Sequence, residues 1–354
     1  MPRPIFAQLD LNALENNLHI ARRMTRARIM AVIKADGYGH GLLRVADALR
    51  RADGFALLDL HEAIQLREAG FRQTILLLEG FFNAEDLPLL AEYQITTVIH
   101  SAWQIACLEA YPERNSLNVW LKVNTGMNRL GFLPTEVSAV MTQLEQHPAI
   151  RDITLMSHFA HADEARGVAE QLSVFHDLAS PYRRGRSIAN SAALIRYPET
   201  HGDWVRAGIM LYGASPFADT SAQQLGLRPV MTLHSRILAV QHLQRGDEVG
   251  YSAVFRADRA MRIGIVACGY ADGYPRHAAN GTPILVDDVV TCTLGRVSMD
   301  MLYVDLSPVP RAQVGSQVVL WGAGMPIEQV ARAAGTISYE LMCALAKRVP
   351  IREI

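Results

Sequence analysis

Lysine is almost missing from this chain: three of its 354 residues are lysine, against thirty-one arginines. A chain that carries its surface charge on arginine keeps lysine chiefly where arginine cannot substitute, because only an amine can lose its proton and attack a carbonyl. The cysteines, Cys107, Cys268, Cys292 and Cys343, show no Cys-x-x-Cys spacing, which argues against a zinc site or a local redox pair and leaves buried free thiols as the expectation. Long apolar runs are missing too. No stretch approaches the roughly 18 residues needed to span a bilayer, and Met1-Pro2-Arg3-Pro4 leads into a strand pattern rather than a signal peptide, so a cytoplasmic chain with no membrane contact is expected. The formal net charge is -1 with the basic residues scattered, so no basic patch argues for nucleic acid, and small-molecule partners are favoured. Gly37-x-Gly39-x-Gly41 has the wrong spacing for a dinucleotide turn.

Half of the residues are apolar, enough for a substantial core, and the length suits two domains or one barrel with an appendage. The first two-thirds alternates β-rich runs with helical patterns. Strands are expected at Ile5 to Leu9, Ile29 to Lys34, Phe55 to Leu60, Thr74 to Leu78, Thr96 to Ile99, Val119 to Val123, Ile153 to Phe159 and Ser187 to Ala189, with Met210 to Gly213 as a further short one. Helices are expected between them, the first over Leu11 to Met24 with an Asn12-x-x-Glu15 capping box. About eight strand–helix units predict an α/β fold of the (β/α)8 barrel type, with the active site at the strand C-termini, where Lys34, Arg129 and His158 fall. Past Pro229 the pattern changes to strands separated by turn signals such as Asn280-Gly281 and Asp287-Asp288. A barrel over residues 1–229 is therefore expected to precede a smaller, mostly β domain over 230–354, whose only helices are Ile327 to Ala334 and Tyr339 to Ala346.

Lys34 closes the apolar run Ala31-Val32-Ile33. It is either a lysine that snorkels from a strand end or a Schiff-base amine, whose pKa burial would lower from about 10.4. Lys122 and Arg129 share the segment Trp120 to Phe132, where a guanidinium beyond the strand end is either surface charge or a clamp for a substrate carboxylate. Ser157-His158-Phe159-Ala160-His161 is not read as a metal site, since on a continuing strand two histidines three apart face opposite ways. One orienting histidine fits better. Ala189 to Ala193 and Val205 to Ile209 are small enough for backbone N–H groups to approach a phosphate.

Taken together, these segments resemble the bacterial alanine racemases end to end. The resemblance rests on the segment around Lys34, Thr125-Gly126-Met127-x-Arg129-Leu130-Gly131, Ser157 to Ala160, Arg206 with Gly208 and Tyr212-Gly213, Val249-Gly250-Tyr251, Gly269 to Tyr274, Gly295 to Asp300, and Ile337 to Glu340. It implies pyridoxal 5'-phosphate as cofactor, joined to Lys34, which also acts as the base on the D-alanine side. Tyr251 is implied as the opposite base, supplied by the other subunit of a homodimer with shared active sites. Arg206 is implied to face the pyridine nitrogen, with His158 holding Arg206. Tyr38, Ser191, Gly208, Ile209 and Tyr339 correspond to phosphate contacts, and Arg129 with the Met299 backbone to the substrate-carboxylate site. Tyr270 and Asp300 correspond to residues at the entrance or behind the site, and Lys122 to a lysine that can be carbamylated in relatives.

Asp36-Gly37, Ser298 and His161 depart from the family's commonest pattern, which touches the tuning of the pocket rather than the reaction. Racemisation of serine is the competing activity, because a methyl and a hydroxymethyl group differ little in size. A pyridoxal-phosphate-binding protein of the same barrel class would lack the β domain and Tyr251. A decarboxylase of that class would present a glutamate in place of Arg206.

Overall fold

The computed structural model describes residues 3–354; Met1 and Pro2, the head of the expected N-terminal lead, lie outside the described residues. The first strand, β1 (Phe6–Leu9), stands apart from those that follow. β2 (Arg28–Val32), β3 (Gly54–Leu57), β4 (Thr74–Leu77), β5 (Thr96–Ile99), β6 (Leu117–Lys122), β7 (Ile150–Met156), β8 (Gly185–Ser187) and β9 (Trp204–Ala207) close into a barrel. All run parallel, and β2 seals the ring by placing Ala31 opposite Phe55 on one side and Ala207 on the other. Strands such as Gly54–Leu57 and Thr96–Ile99 are buried at every position, as expected of parallel strands covered on both faces, which read as continuous apolar runs. The helix Leu11–Met24 has the expected bounds, but its cap is Asp10, whose carboxylate accepts the Ala13 N–H at 3.1 Å, rather than the Asn12 box.

Two strand assignments differ from expectation. Ile5 to Leu9 does not open the barrel: β1 alternates half-buried and buried residues and lies antiparallel to β10 (Met231–Leu243) in the second sheet. That period of two is the signature of a strand with one face covered. Its place in the barrel is taken by β9, a short buried strand around Arg206. Met210 to Gly213 is not a strand but part of a 3-10 turn, Ile209–Tyr212, ended by Gly213 at φ 80°, where a Cβ would lie 1.8 Å from the Arg228 carbonyl oxygen.

The second unit is built on β10 to β17: β11 (Glu248–Val249), β12 (Phe255–Arg256), β13 (Met261–Val266), β14 (Pro283–Val286), β15 (Val289–Leu294), β16 (Leu302–Asp305) and β17 (Gln317–Trp321). The long β10 pairs with β17 through its first half and with β13 through its second, its register shifting at Ile237/Ala239. The ring β10-β13-β16-β15-β14-β17 thereby returns to its start. β18 (Ile351–Glu353) lies parallel to β1, so the two ends of the chain meet in this sheet. β11 and β12 form a separate hairpin with Tyr251 at its tip. The helices Ile327–Ala333 and Ser338–Cys343 complete the unit, and the latter packs against the mouth of the barrel. Among the described residues no helix is long and apolar enough to cross a membrane.

Candidate active site

Two residues beyond the end of β2, the backbone after Lys34 enters the left-handed region and stays there. Ala35, Asp36, Gly37 and Tyr38 have φ between 51° and 61°. Only glycine adopts this conformation without cost, at about 1–2 kcal/mol for each other residue, so the turn must be held from outside. His40 does this from a fully buried position: its Nδ1 lies 2.9 Å from the Tyr38 carbonyl and 3.1 Å from that of Gly37. Both are acceptors, so Nδ1 carries the proton. The Asp36 carboxylate accepts the Leu42 N–H at 2.7 Å. At Gly39, φ 77°, a Cβ would lie 2.4 Å from the Met342 carbonyl oxygen, which is how closely the helix Ser338–Cys343 approaches.

The turn buries Tyr38, stacked on Tyr212 with ring centroids 4.4 Å apart and tilted against Tyr339 at 5.8 Å. Burial pushes the Tyr38 and Tyr339 phenols up, so both remain neutral donors. Across from Tyr38, the Gly208 N–H donates to Ser191 Oγ at 2.9 Å, and a Cβ on Gly208 would stand 2.8 Å from the Tyr38 hydroxyl. Two hydroxyls and the Gly208–Ile209 backbone therefore converge on one end of a cavity of about 870 Å³. Lys34, half-buried, lines the same cavity.

Its floor is electropositive. Arg206, buried on β9, donates to Ser187 Oγ at 2.7 Å, to the Ser157 and Ile188 carbonyls at 2.7 and 3.1 Å, and to His158 Nδ1 at 3.2 Å. Burial, then the charge of Arg129, lowers its pKa to about 9, leaving it cationic at neutral pH. Lys122, at the end of β6, is buried; desolvation, then Arg206, Arg129 and Lys34, bring its amine down to about 7. Every charge acting on it is positive. The same holds for His158, which burial and then Arg206 keep neutral, well below the usual histidine range.

A buried polar network ties the loops after β6 and β7 together. Gln171 donates to Thr125 Oγ1 and to the His158 carbonyl, both at 3.1 Å, and accepts from the Ala160 N–H at 2.8 Å. Thr125 and Ser157 share a hydrogen bond of 2.7 Å. Nothing in the sequence marks Gln171, one polar residue in a helical pattern. Phe82 and His100 also line the cavity unforeseen. His161 takes no part and pairs with Glu164 at 3.0 Å.

Of the residues singled out in the sequence, Lys34, Tyr38, Lys122, Arg129, His158, Ser191, Arg206, Gly208, Ile209 and Tyr339 share this cavity. Tyr251, Tyr270, Met299 and Asp300 do not line it. Tyr251 and Met299 lie on the surface of the second unit, 69% and 53% exposed. The expectation of buried thiols also needs correction: Cys268 is buried, Cys107 and Cys292 are half-buried, and Cys343 is exposed at the cavity wall, because it ends the helix that faces the barrel mouth.

The sequence and the fold both have known relatives. Residues 9–216 match the family model described as alanine racemase, N-terminal domain, and residues 230–353 that of the alanine racemase C-terminal domain. The chain is 58% identical over 353 residues to the alanine racemase of Nitrosospira multiformis and 53% identical over 353 residues to the catabolic alanine racemase of Klebsiella aerogenes, covering 99% of each chain in both cases. The crystal structure of the biosynthetic alanine racemase from Pseudomonas aeruginosa superposes with a TM-score of 0.97 at 46% identity, over 99% of both chains. Likeness of this extent, running through barrel, β unit and the loops between them, leaves one assignment: the chain belongs to the alanine racemase family.

Proposed function

We propose that this chain interconverts L- and D-alanine with pyridoxal 5'-phosphate held in the barrel mouth, and that it does so as a homodimer. The observation that carries the reading is the single cavity that gathers an amine, Lys34, at one side, a hydroxyl-lined cradle at one end and a cationic floor beneath. The cradle fits a phosphate: the Tyr38 and Ser191 hydroxyls and the Ile209 N–H supply donors, the Gly208 N–H holds Ser191 Oγ in place, and the missing Cβ of Gly208 keeps the space beside the Tyr38 hydroxyl open. Tyr339 closes the end from the second unit.

When bound, pyridoxal phosphate supplies a carbonyl that condenses with an amine and withdraws electrons from the substrate α-carbon. Lys34 is the residue that would hold it through its amine and would take or return the α-proton on one face. Arg206 would serve the ring nitrogen, where a guanidinium would donate a hydrogen bond while keeping its proton. Without a proton on that nitrogen, electron withdrawal would stay weak, which would favour return of the proton over competing bond cleavages. Arg129 takes the substrate carboxylate. The second base is Tyr251 of the partner subunit; its exposure on a hairpin tip, away from the cavity of its own chain, supports a role in a second copy. Inversion requires a proton to leave one face and arrive on the other, so each site needs both chains.

Lys122 has a further part. A buried amine with a pKa near neutrality and only positive neighbours is suited to add carbon dioxide: the nitrogen lone pair forms the N–C bond, one N–H proton leaves to solvent, and the product is an anion beside Arg129. The activity is tested by following the circular dichroism of L-alanine with the cofactor-loaded chain. Decay of the signal to zero is expected; a persistent signal with the wild-type chain overturns the proposal.

A further inference from the structure

Asp272 touches nothing in the cavity, yet its carboxylate is fully buried and four donors converge on it. Arg3 reaches it with both Nη atoms at 2.7 and 3.1 Å, Arg348 Nε at 2.8 Å and the Gly269 N–H at 3.0 Å. The same two arginines continue to Asp300: Arg348 Nη2 donates to its carboxylate at 2.6 Å and Arg3 Nη2 to its carbonyl at 2.8 Å. Between these acids the loops carrying Tyr270 and Met299 are laced together. The Tyr270 N–H donates to the Ser298 carbonyl and the Ala271 N–H to that of Met299, both at 3.0 Å, and the Ser298 N–H donates to Met301 at 2.9 Å. A Cβ on Gly269 would lie 2.3 Å from the Ser298 and Met299 carbonyl oxygens, so the loops meet backbone to backbone.

Burying a carboxylate costs desolvation that its ion pairs only partly offset, so such a cluster is weak evidence for stability. What it does provide is fixed geometry: the guanidinium forks admit few arrangements of the groups they join. The loops it fixes end in exposed side chains and contribute nothing to the cavity of their own chain.

We propose that Asp272, held by Arg3 and Arg348, is a positioning residue that sets the Tyr270 and Met299 loops for the active site of the partner subunit. This rests on the proposed dimer with shared active sites: Met299, whose backbone corresponds to the substrate-carboxylate site, does not line the cavity of its own chain, so the site it serves is that of the other copy. The clamp therefore acts in trans. It tightens substrate binding without touching the residues that move the proton, so its loss falls on KM rather than kcat.

The test uses cofactor-loaded dimers of Asp272→Asn and Arg3→Gln. Each homodimer is expected to raise KM for L-alanine by about tenfold while kcat changes by less than about threefold. In a hybrid of an Asp272→Asn subunit with a Lys34→Ala subunit, the one site that retains Lys34 receives the partner's Tyr251 and the partner's Met299 from the chain with an intact clamp. Wild-type KM is expected there; a KM still raised means that Asp272 acts within its own chain and overturns the proposal. Hydrogen exchange of the unloaded variants is the second readout: amides of 269–272 and 298–301 should exchange faster while barrel amides are unchanged. Unaltered exchange in both variants overturns the clamp even if no racemisation is ever seen, whereas an inactive wild-type chain with faster loop exchange overturns the functional reading alone. Should Asp272→Asn fail to fold, the partly exposed Arg3→Gln carries the same measurements.

Discussion

Arg206 Nη2 lies 3.2 Å from His158 Nδ1. A guanidinium has no lone pair to offer, so the imidazole must accept at Nδ1, and its proton sits on Nε2. Arg206 thus holds His158 neutral in two ways, by fixing the tautomer and by adding positive charge to a ring that burial already keeps unprotonated. His158 is left with an N–H donor on its far nitrogen, where the proposed partner phenol would need a donor to lose its proton to substrate.

Acid should destabilise the fold through its neutral histidines. His40 is fully buried, and desolvation is the main cause that lowers its pKa to about 4. Unfolded, it titrates near about 6.5. Below that pH the unfolded chain binds a proton that the folded chain does not, so the contribution is complete above about 6.5 and shrinks as pH falls toward the folded value. The loss approaches about 1.4 kcal/mol per pH unit for each such histidine, and His158 adds in the same direction. Urea midpoints at about pH 7.5 and pH 5 provide the check. The midpoint should drop at the lower pH, and less so in His40→Asn; equal midpoints would show that neither ring is buried neutral.

Removing the hydrogen-only space at Gly208 should damage cofactor binding more than folding. A Cβ there meets the Tyr38 hydroxyl at 2.8 Å and Val32 Cβ at 3.7 Å. Gly208→Ala is expected to raise the Kd for pyridoxal phosphate by about tenfold, the loss of about one charge-assisted hydrogen bond, while the unloaded chain melts within a few degrees of wild type. Absorbance titration measures the first and calorimetry the second. An unchanged Kd would remove Gly208 from the phosphate site.

The barrel was legible because parallel strands leave unbroken apolar runs. What escaped was order in space. Ile5 to Leu9 looked like a first barrel strand by position, although its alternation belonged to a half-covered sheet. Trp204–Ala207 escaped because an arginine in a four-residue run reads as a loop until its four acceptors are seen. Three of the four left-handed residues after Lys34 are not glycine, so no propensity announces that turn. Gln171 and Asp272 act through partners far away in sequence, which no local pattern encodes.

If each site draws on two chains, two dead variants should rescue one another. Lys34→Ala and Tyr251→Phe each remove a base, and the homodimers should fall by about 10³-fold or more in kcat. Mixed and refolded together, half of the chains enter hybrids in which one site has lost both bases and the other keeps both. Activity should return to about a quarter of the wild-type value at equal mixing, because only one site in each hybrid works. Activity that stays at the level of the parents would mean that Tyr251 serves its own chain or none.

Lys122 offers a test that does not depend on turnover. Its amine is down to about 7, and the charges responsible after desolvation are Arg206, Arg129 and Lys34. At neutral pH a substantial fraction is therefore free base, the form that captures carbon dioxide, and the resulting anion relieves the repulsion that depressed the pKa. Equilibration with ¹³C-labelled bicarbonate should give a carbamate resonance that is absent in Lys122→Ala. The resonance should fade below about pH 6, where protonation of the amine withdraws the reactive form. Lys122→Ala also leaves Arg129 without its anion, so KM for alanine should rise by about tenfold with a smaller change in kcat. Chloride or acetate should restore part of the loss by occupying the vacated space beside Arg129. Wild-type spectra that lack the carbamate resonance would leave Lys122 as an unmodified amine, and a carbamate would then play no part in orienting Arg129.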